Sequence, residues 1–178
     1  MTINKVTPKD FQVDLFDPVD DQITQLTKLK LRIGWFEGAR YDDETPVADV
    51  AFDNEFGVPS ENIPPRPFFR PTISGNREDW KKSTLFLARR VLRGESTAED
   101  MLNVIGLTVS GQIRKSIRNV QKPALSWITI QNRLEIRKDK RTMGLLHKPL
   151  IFEGLLYNSV SYIVNDETVT QPFDRWEP

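Results

Sequence analysis

At 178 residues, with 25 Lys and Arg balancing 25 Asp and Glu, the chain has room for one folded domain plus short extensions. The absence of cysteine excludes disulfides, thiolate metal sites and a cysteine nucleophile, and a single histidine, His147, excludes an imidazole cluster. No apolar run reaches the length that spans a bilayer, and the N-terminal stretch lacks the basic-then-apolar order of a signal peptide, so the chain reads as soluble and made in the cytoplasm.

The neutral total is a sum of unlike parts. Residues 1–62 hold 6 Lys and Arg against 13 Asp and Glu, whereas residues 77–141 hold 15 against 7. Such a bipolar chain is suited to stacking or ringing with its own copies. The same pattern also arises when the charged faces of separate helices simply face water.

In chain order, residues 1–28 read as an N-terminal arm, Asp-rich and carrying Asp17–Pro18, with the first 22 extended. Leu29 to Phe36 alternates apolar and polar residues, the mark of a half-buried strand. After a polar loop from Gly38 to Glu44, Thr45 offers an N-cap and Pro46 a first helical position. The short helix that follows, with Val47, Val50 and Ala51 on one face, is expected to stop at Gly57. Val58 to Pro71 carries five prolines and is expected to be a stiff, extended strap bearing Ile63, Phe68 and Phe69.

Two longer helices come next. The first is capped by Asn76, places Trp80, Thr84, Leu87 and Val91 on one stripe, and closes at Gly94. The second opens on the capping box Ser96-Thr97-Ala98-Glu99 and carries Met101, Ile105, Val109, Ile113 and Ile117 at four-residue steps. Gly106 and Gly111 within it are expected to admit a closely packed neighbour. Leu125 to Lys138 reads either as a short helix capped by Ser126 or as a strand or hairpin. Residues 139–148 read as a mobile basic loop, and a helical turn after Pro149 is expected to lead to a strand at Ser159–Val164. Residues 165–178 form an acidic tail carrying Phe173 and Trp176. The expected fold is therefore α+β, a small antiparallel or mixed sheet packed against two longer helices, with a Pro-rich strap and extended terminal arms flanking a domain at 29–164.

No catalytic, cofactor-binding or metal-binding set stands out, and the chain is expected not to be an enzyme. His147 sits beside Lys148 in a basic loop, where solvation is the simpler role. The carboxylates of Asp42, Asp43 and Glu44 lack the alternate spacing and glycine of a calcium loop. Phosphate-cradling and nucleophile-elbow motifs are absent. The basic zone of Lys81, Lys82, Arg89, Arg90, Arg93, Arg114, Lys115, Arg118, Lys138, Lys140 and Arg141 is able to neutralise phosphates without reading sequence. It serves equally to line a DNA passage or to meet the acidic half of a neighbouring subunit.

Two blocks carry a family resemblance. The first runs from Leu31-Arg32-Ile33-Gly34-Trp35-Phe36 through Pro46-Val47-Ala48 and Asn54-Glu55-Phe56-Gly57 to Ile63-Pro64-Pro65-Arg66-Pro67-Phe68-Phe69-Arg70-Pro71. The second comprises Leu125-Ser126, Thr129 and Arg133, then Lys148-Pro149-Leu150-Ile151 through Gly154, Leu155 and Ser159 to Tyr162. Together, over most of residues 29–164, they resemble the tail-completion or neck proteins of long-tailed bacteriophages and prophages, departing from the family pattern at Phe152 and Glu153.

The resemblance implies a non-catalytic virion protein without cofactors, whose copies form a ring at the head–tail junction. Such a ring, six-fold by analogy with tail symmetry, joins a head–tail connector or portal-side protein to a tail tube or tail terminator and lets DNA pass. A tail terminator or minor tail protein of similar fold is the nearest alternative, and a DNA-binding packaging protein is the alternative of another class. Interface candidates under this reading are Arg66, Phe68, Phe69, Arg70, Phe173 and Trp176, because aromatic and Arg anchors dominate interfaces; the alternative for Phe68 and Phe69 is that they cover the chain's own core, and one of the two is expected to point inward.

Overall fold

The computed structural model of the chain describes residues 17–136 and 146–166. Helix α1 (Asp17–Lys28) runs directly into strand β1 (Leu29–Gly34). Helix α2 (Val47–Phe56) and a 3-10 turn at Pro59–Glu61 precede the two long helices, α3 (Phe69–Leu92) and α4 (Ala98–Asn119). Helix α5 (Trp127–Ile136), the short α6 (Leu155–Asn158) and strand β2 (Ser161–Asp166) complete the order. The fold is α+β, with the first and last described strands paired.

The β1–β2 pair is antiparallel, with Leu29 opposite Asp166, Leu31 opposite Val164, Ile33 opposite Tyr162 and Gly34 opposite Ser161. A two-stranded ribbon is marginal alone, and α4 packs on it. Gly106 makes the approach possible: a Cβ there would collide with the Tyr162 ring and crowd Leu31. Gly111, expected to do the same, has open space where a Cβ would stand.

The four-residue ladder of α4 forms the spine of the core. Val109, Ile113 and Ile117 are buried with Val47 and Ala51 of α2, Phe68 of the strap, and Leu150, Ile151, Leu156 and Val160 of the closing segment. Met101, further toward the start of α4, joins Val91 and Ala98 in a second cluster, against which Leu26, Leu29, Leu87 and Ile105 pack. Trp35 edges onto Phe68 at 5.7 Å between centroids and donates its indole N–H to the Leu156 carbonyl at 2.9 Å. That contact ties the end of β1 to the closing turn.

Several local expectations are corrected. Residues 17–22, expected to be extended, belong to α1, which holds Leu26 against the second cluster, so the described elements reach back to Asp17 and forward to Asp166. Pro46, not Thr45, occupies the N-cap of α2, with no side-chain cap bond. Helix α3 begins at Phe69, seven residues before Asn76, whose amide instead donates to the Thr72 carbonyl. The cap of α4 is Thr97, accepting from Asp100 N–H at 3.0 Å, rather than Ser96. The segment left open at Leu125–Lys138 is a helix from Trp127 to Ile136, with Ser126 Oγ accepting from Thr129 N–H at 3.1 Å. The close of α2 at Gly57 and of α3 just before Gly94 are as expected.

Candidate docking surface

The residues of the first motif block converge on one carboxylate. Glu55, in the last turn of α2, is buried, and its carboxylate accepts the backbone N–H groups of Phe68 at 2.7 Å, Phe69 at 2.8 Å and Arg70 at 3.0 Å. Arg70 Nε adds a fourth bond at 2.9 Å. The opening turn of a helix has N–H groups with no intrahelical partner; here a side chain from another helix satisfies three of them. That explains why α3 can begin inside the proline-rich segment, where Pro71 in the first turn needs no N–H partner. Burial pushes the Glu55 carboxyl up, but the Phe69, Phe68 and Arg70 donors together outweigh it and hold the pKa below the ordinary value.

Around this lock the strap is anchored at each side. Asn54 accepts Arg66 N–H on its carbonyl at 2.7 Å, and Gly57, at φ 79°, lies so close to Ile63 and Pro65 that a Cβ would stand 2.8 Å from backbone atoms of both. The buried Arg66 donates from Nε to the Pro123 carbonyl at 2.9 Å and from Nη2 to the Ala124 carbonyl at 3.3 Å. Its pKa is lowered by burial. The Phe68 carbonyl accepts from Ser116 Oγ of α4 and Thr72 Oγ of α3.

Arg133 of the second block makes the matching clasp. It donates to the carbonyls of Leu146, Lys148 and Pro149 at 3.2, 2.7 and 3.1 Å, and its guanidinium lies over the Phe152 ring.

Of the six interface candidates, Arg66 faces inward, which corrects its expected exposure to a partner, and Phe68 is the ring of the Phe68–Phe69 pair that points inward. Phe69 is half-buried against Trp35, Arg70 is exposed, and Phe173 and Trp176 lie outside the described residues. Sequence reading missed Glu55 as the organiser. The signal was available in its place between a helix and a run of backbone that prolines keep from pairing with itself, but a lone Glu in a helix carries no mark of its partner.

What the strap presents to solvent is a groove of about 570 Å³ between the end of β1, α2 and the start of α3. Trp35 and Phe68 contribute to its floor, and Phe52, Phe56 and Ile73 expose large parts of their side chains along it. Phe52 packs on Phe56 with ring centroids 4.6 Å apart and planes tilted by 41°, and Arg70 lies over the Phe56 ring at 4.4 Å. Two further apolar exposures stand apart from it. Phe86 of α3 and Val104 of α4 line a cleft of about 420 Å³ between the two helices, and Leu85 and Leu107, like them, are at least half in water. Helix α5 buries none of its residues and displays Trp127, 72% exposed, with Ile128, Leu134 and Ile136.

The basic candidates disperse. Arg114 donates to the Val160 carbonyl, and Arg118 to the Tyr157 hydroxyl, over whose ring it also lies. Arg90 and Arg93 pair with Glu95, and Lys82 pairs with Asp79. Lys81, Arg89 and Lys115 are exposed. Lys138, Lys140 and Arg141 lie outside the described residues.

His147 is exposed. Among the described residues no group of three or more His, Asp or Glu side chains is placed to hold a metal ion, and no helix is long and apolar enough to cross a membrane. A second cleft, of about 470 Å³, brings Tyr41, Asp42 and Asp43 toward Arg133 and Glu153. Burial, then the charges of Glu153 and Asp43, raise the Tyr41 pKa, so at neutral pH its phenol is a hydrogen-bond donor rather than a base.

No family model, curated protein or solved structure matches the chain.

Proposed function

We propose that this protein is a non-catalytic assembly subunit, a ring-forming neck or tail-completion component at the head–tail junction of a long-tailed phage or prophage. The observation that carries the reading is helix α5. A ten-residue helix is marginal on its own, yet α5 turns a Trp, two Ile and a Leu to water. Exposed apolar clusters of this kind mark surfaces that bind other proteins. The cleft between α3 and α4 and the groove beside the strap add further exposed apolar surface, as a subunit with several neighbours requires. The order of the two motif blocks is what directs this reading to the neck of a phage.

The packaging-protein alternative draws less support, because Arg114 and Arg118 hold the chain's own groups and Arg90 and Arg93 are balanced by Glu95.

Replacing Trp127 and Ile128 together with Ser tests the proposal, since both side chains are already in water. The double variant is expected to keep the helical signal and to melt within about 2 °C of the parent, because surface changes rarely alter stability by more than about 0.5 kcal/mol. Its association with itself or with connector and tail-tube proteins is expected to weaken at least about tenfold. Unchanged association would remove α5 as the assembly surface.

A further inference from the structure

Helix α5 is fixed in place and yet displays an apolar ridge. Arg133 ties it to the carbonyls of Leu146, Lys148 and Pro149, and Lys148 Nζ in turn donates to the Arg118 carbonyl at the end of α4, at 3.2 Å. Trp127, Gln131 and Glu135 follow one another at four-residue steps and so share one side of the helix, with Ile128 and Leu134 beside them. Trp127, Ile128, Leu134 and Glu135 are all exposed. The ridge from Trp127 to Glu135 is about 12 Å long and ends in a carboxylate.

A surface of the same spacing runs along α4. Val104, Leu107, Thr108, Gly111 and Lys115 form one exposed stripe, and Val104 and Thr108 also line the cleft shared with Phe86 of α3. Leu107, Gly111 and Lys115 repeat the four-residue step of Trp127, Gln131 and Glu135. A glycine inside a long helix weakens it, and Gly106 has its reason in the Tyr162 ring. Gly111 has nothing within 4 Å of where a Cβ would stand. It leaves a notch in the stripe that a second helix can enter. The charges here are cationic: among the described residues the one charge lining the cleft is Lys82, loosely paired with Asp79 at 3.6 Å, and Lys115 follows one turn after Gly111. An apolar trough with a cation at its end matches an apolar helix that ends in a carboxylate. The groove beside the strap lacks this fit, since its Arg70 is already held by Glu55 and lies over the Phe56 ring.

We infer that α5 of one copy docks along the α3–α4 face of a second copy of this chain, with Trp127 beside Phe86 and Val104, Gln131 over Gly111, and Glu135 at Lys115. Within one chain the two surfaces stay apart. Trp127 is 72% exposed, and the Arg133 clasp holds α5 near Arg118, which is about 16 Å along α4 from Leu107. Each copy therefore gives one ridge and receives another. That is a head-to-tail contact, which closes into a ring when the rotation between copies divides the circle. The inference rests on the assembly reading and names one of its contacts.

The chain has no cysteine, so introduced ones report the contact without background. Full chains carrying Gly111→Cys or Gln131→Cys are mixed and treated with a short bismaleimide, alone and with connector and tail-tube proteins present. The mixture is expected to give a crosslinked pair that neither variant gives by itself. In sedimentation, Lys115→Glu and Glu135→Lys are each expected to weaken self-association at least about fivefold without lowering the melting temperature, and an equimolar mixture of the two is expected to restore it, since unlike charges then meet at every contact. A mixture of cysteine variants that crosslinks no better than its components overturns the inference. So does a mixture of charge variants that associates no better than either member. A Gln131→Cys chain that crosslinks to itself overturns it by pairing α5 with α5, and a doubly substituted chain that crosslinks as a monomer overturns it by placing α5 on its own cleft. Rings that form without the crosslink would leave the assembly reading standing while removing this contact from it. Neither ring nor crosslink, with or without the partners, would remove both.

Discussion

Glu55 shows how one buried carboxylate sets the course of the chain on either side of it. Its folded-state pKa is lowered, so its contribution is fully present above the unfolded-state value and is lost as pH falls through the folded-state value. Glu55→Gln is expected to destabilise the protein at pH 7 by about 2 kcal/mol, since bonds to a charged acceptor exceed those to a neutral one. Urea titrations at pH 7 and pH 3 should show a smaller difference between the two pH values for the variant than for the parent. Phe68 and Phe69 separate in the same kind of measurement. Phe68→Ala removes a fully buried ring and is expected to cost about 3–5 kcal/mol, against about 1–2 kcal/mol for the half-buried Phe69. Near-equal, small losses would contradict the inward placement of Phe68. The motif around these residues was visible in the sequence, but its work was not. Prolines and aromatics in a row look like a docking strap, and only the geometry reveals that Glu55 caps the helix they start.

Among the elements, the strand at Leu29–Gly34, the two long helices and their apolar stripes were legible because periodicity and glycine stops record them directly. Boundaries were missed where the partner is distant in sequence. Helix α3 starts at Phe69 because a carboxylate from α2 reaches its N–H groups, a fact that Asn76 could not disclose. Helix α1 was read as an arm because its acidic composition hides Leu26, which packs beside Leu29 on Val91, Ala98 and Met101. The closing ribbon depends on one glycine. Gly106→Ala is expected to push Tyr162 off α4 and to destabilise by about 1–3 kcal/mol, the usual cost of overpacking. Gly111→Ala, in open space on the same helix, is expected to raise stability slightly. Thermal melts of the pair give the comparison, and equal effects would contradict the close packing of the ribbon on α4.

As a whole, the molecule is a small α+β unit that secures its own fold with Glu55, Arg66 and Arg133 and leaves apolar side chains exposed beside the strap, on α3 and α4 and on α5. The sequence divided these roles poorly. Arg66, counted among the anchors for a partner, holds the fold, Phe68 is the ring of its pair that points inward, and the exposed Phe52, Leu107 and Trp127 were not singled out at all. Hydrophobic pattern records that a residue is apolar, not whether the surface covering it belongs to the same chain. The bipolar charge expected to link subunits is partly consumed within the chain by the Arg90 and Arg93 pairs with Glu95. On the proposed assembly reading, apolar contact is the main source of association, with charge setting orientation.

The central claim is assembly, and the mass of the purified protein by light scattering tests it most directly, alone and mixed with phage connector and tail-tube proteins. The account predicts a closed ring of defined stoichiometry, either from the chain itself or on meeting one of those partners. A monomer that keeps its mass at every concentration and with both partners would contradict it.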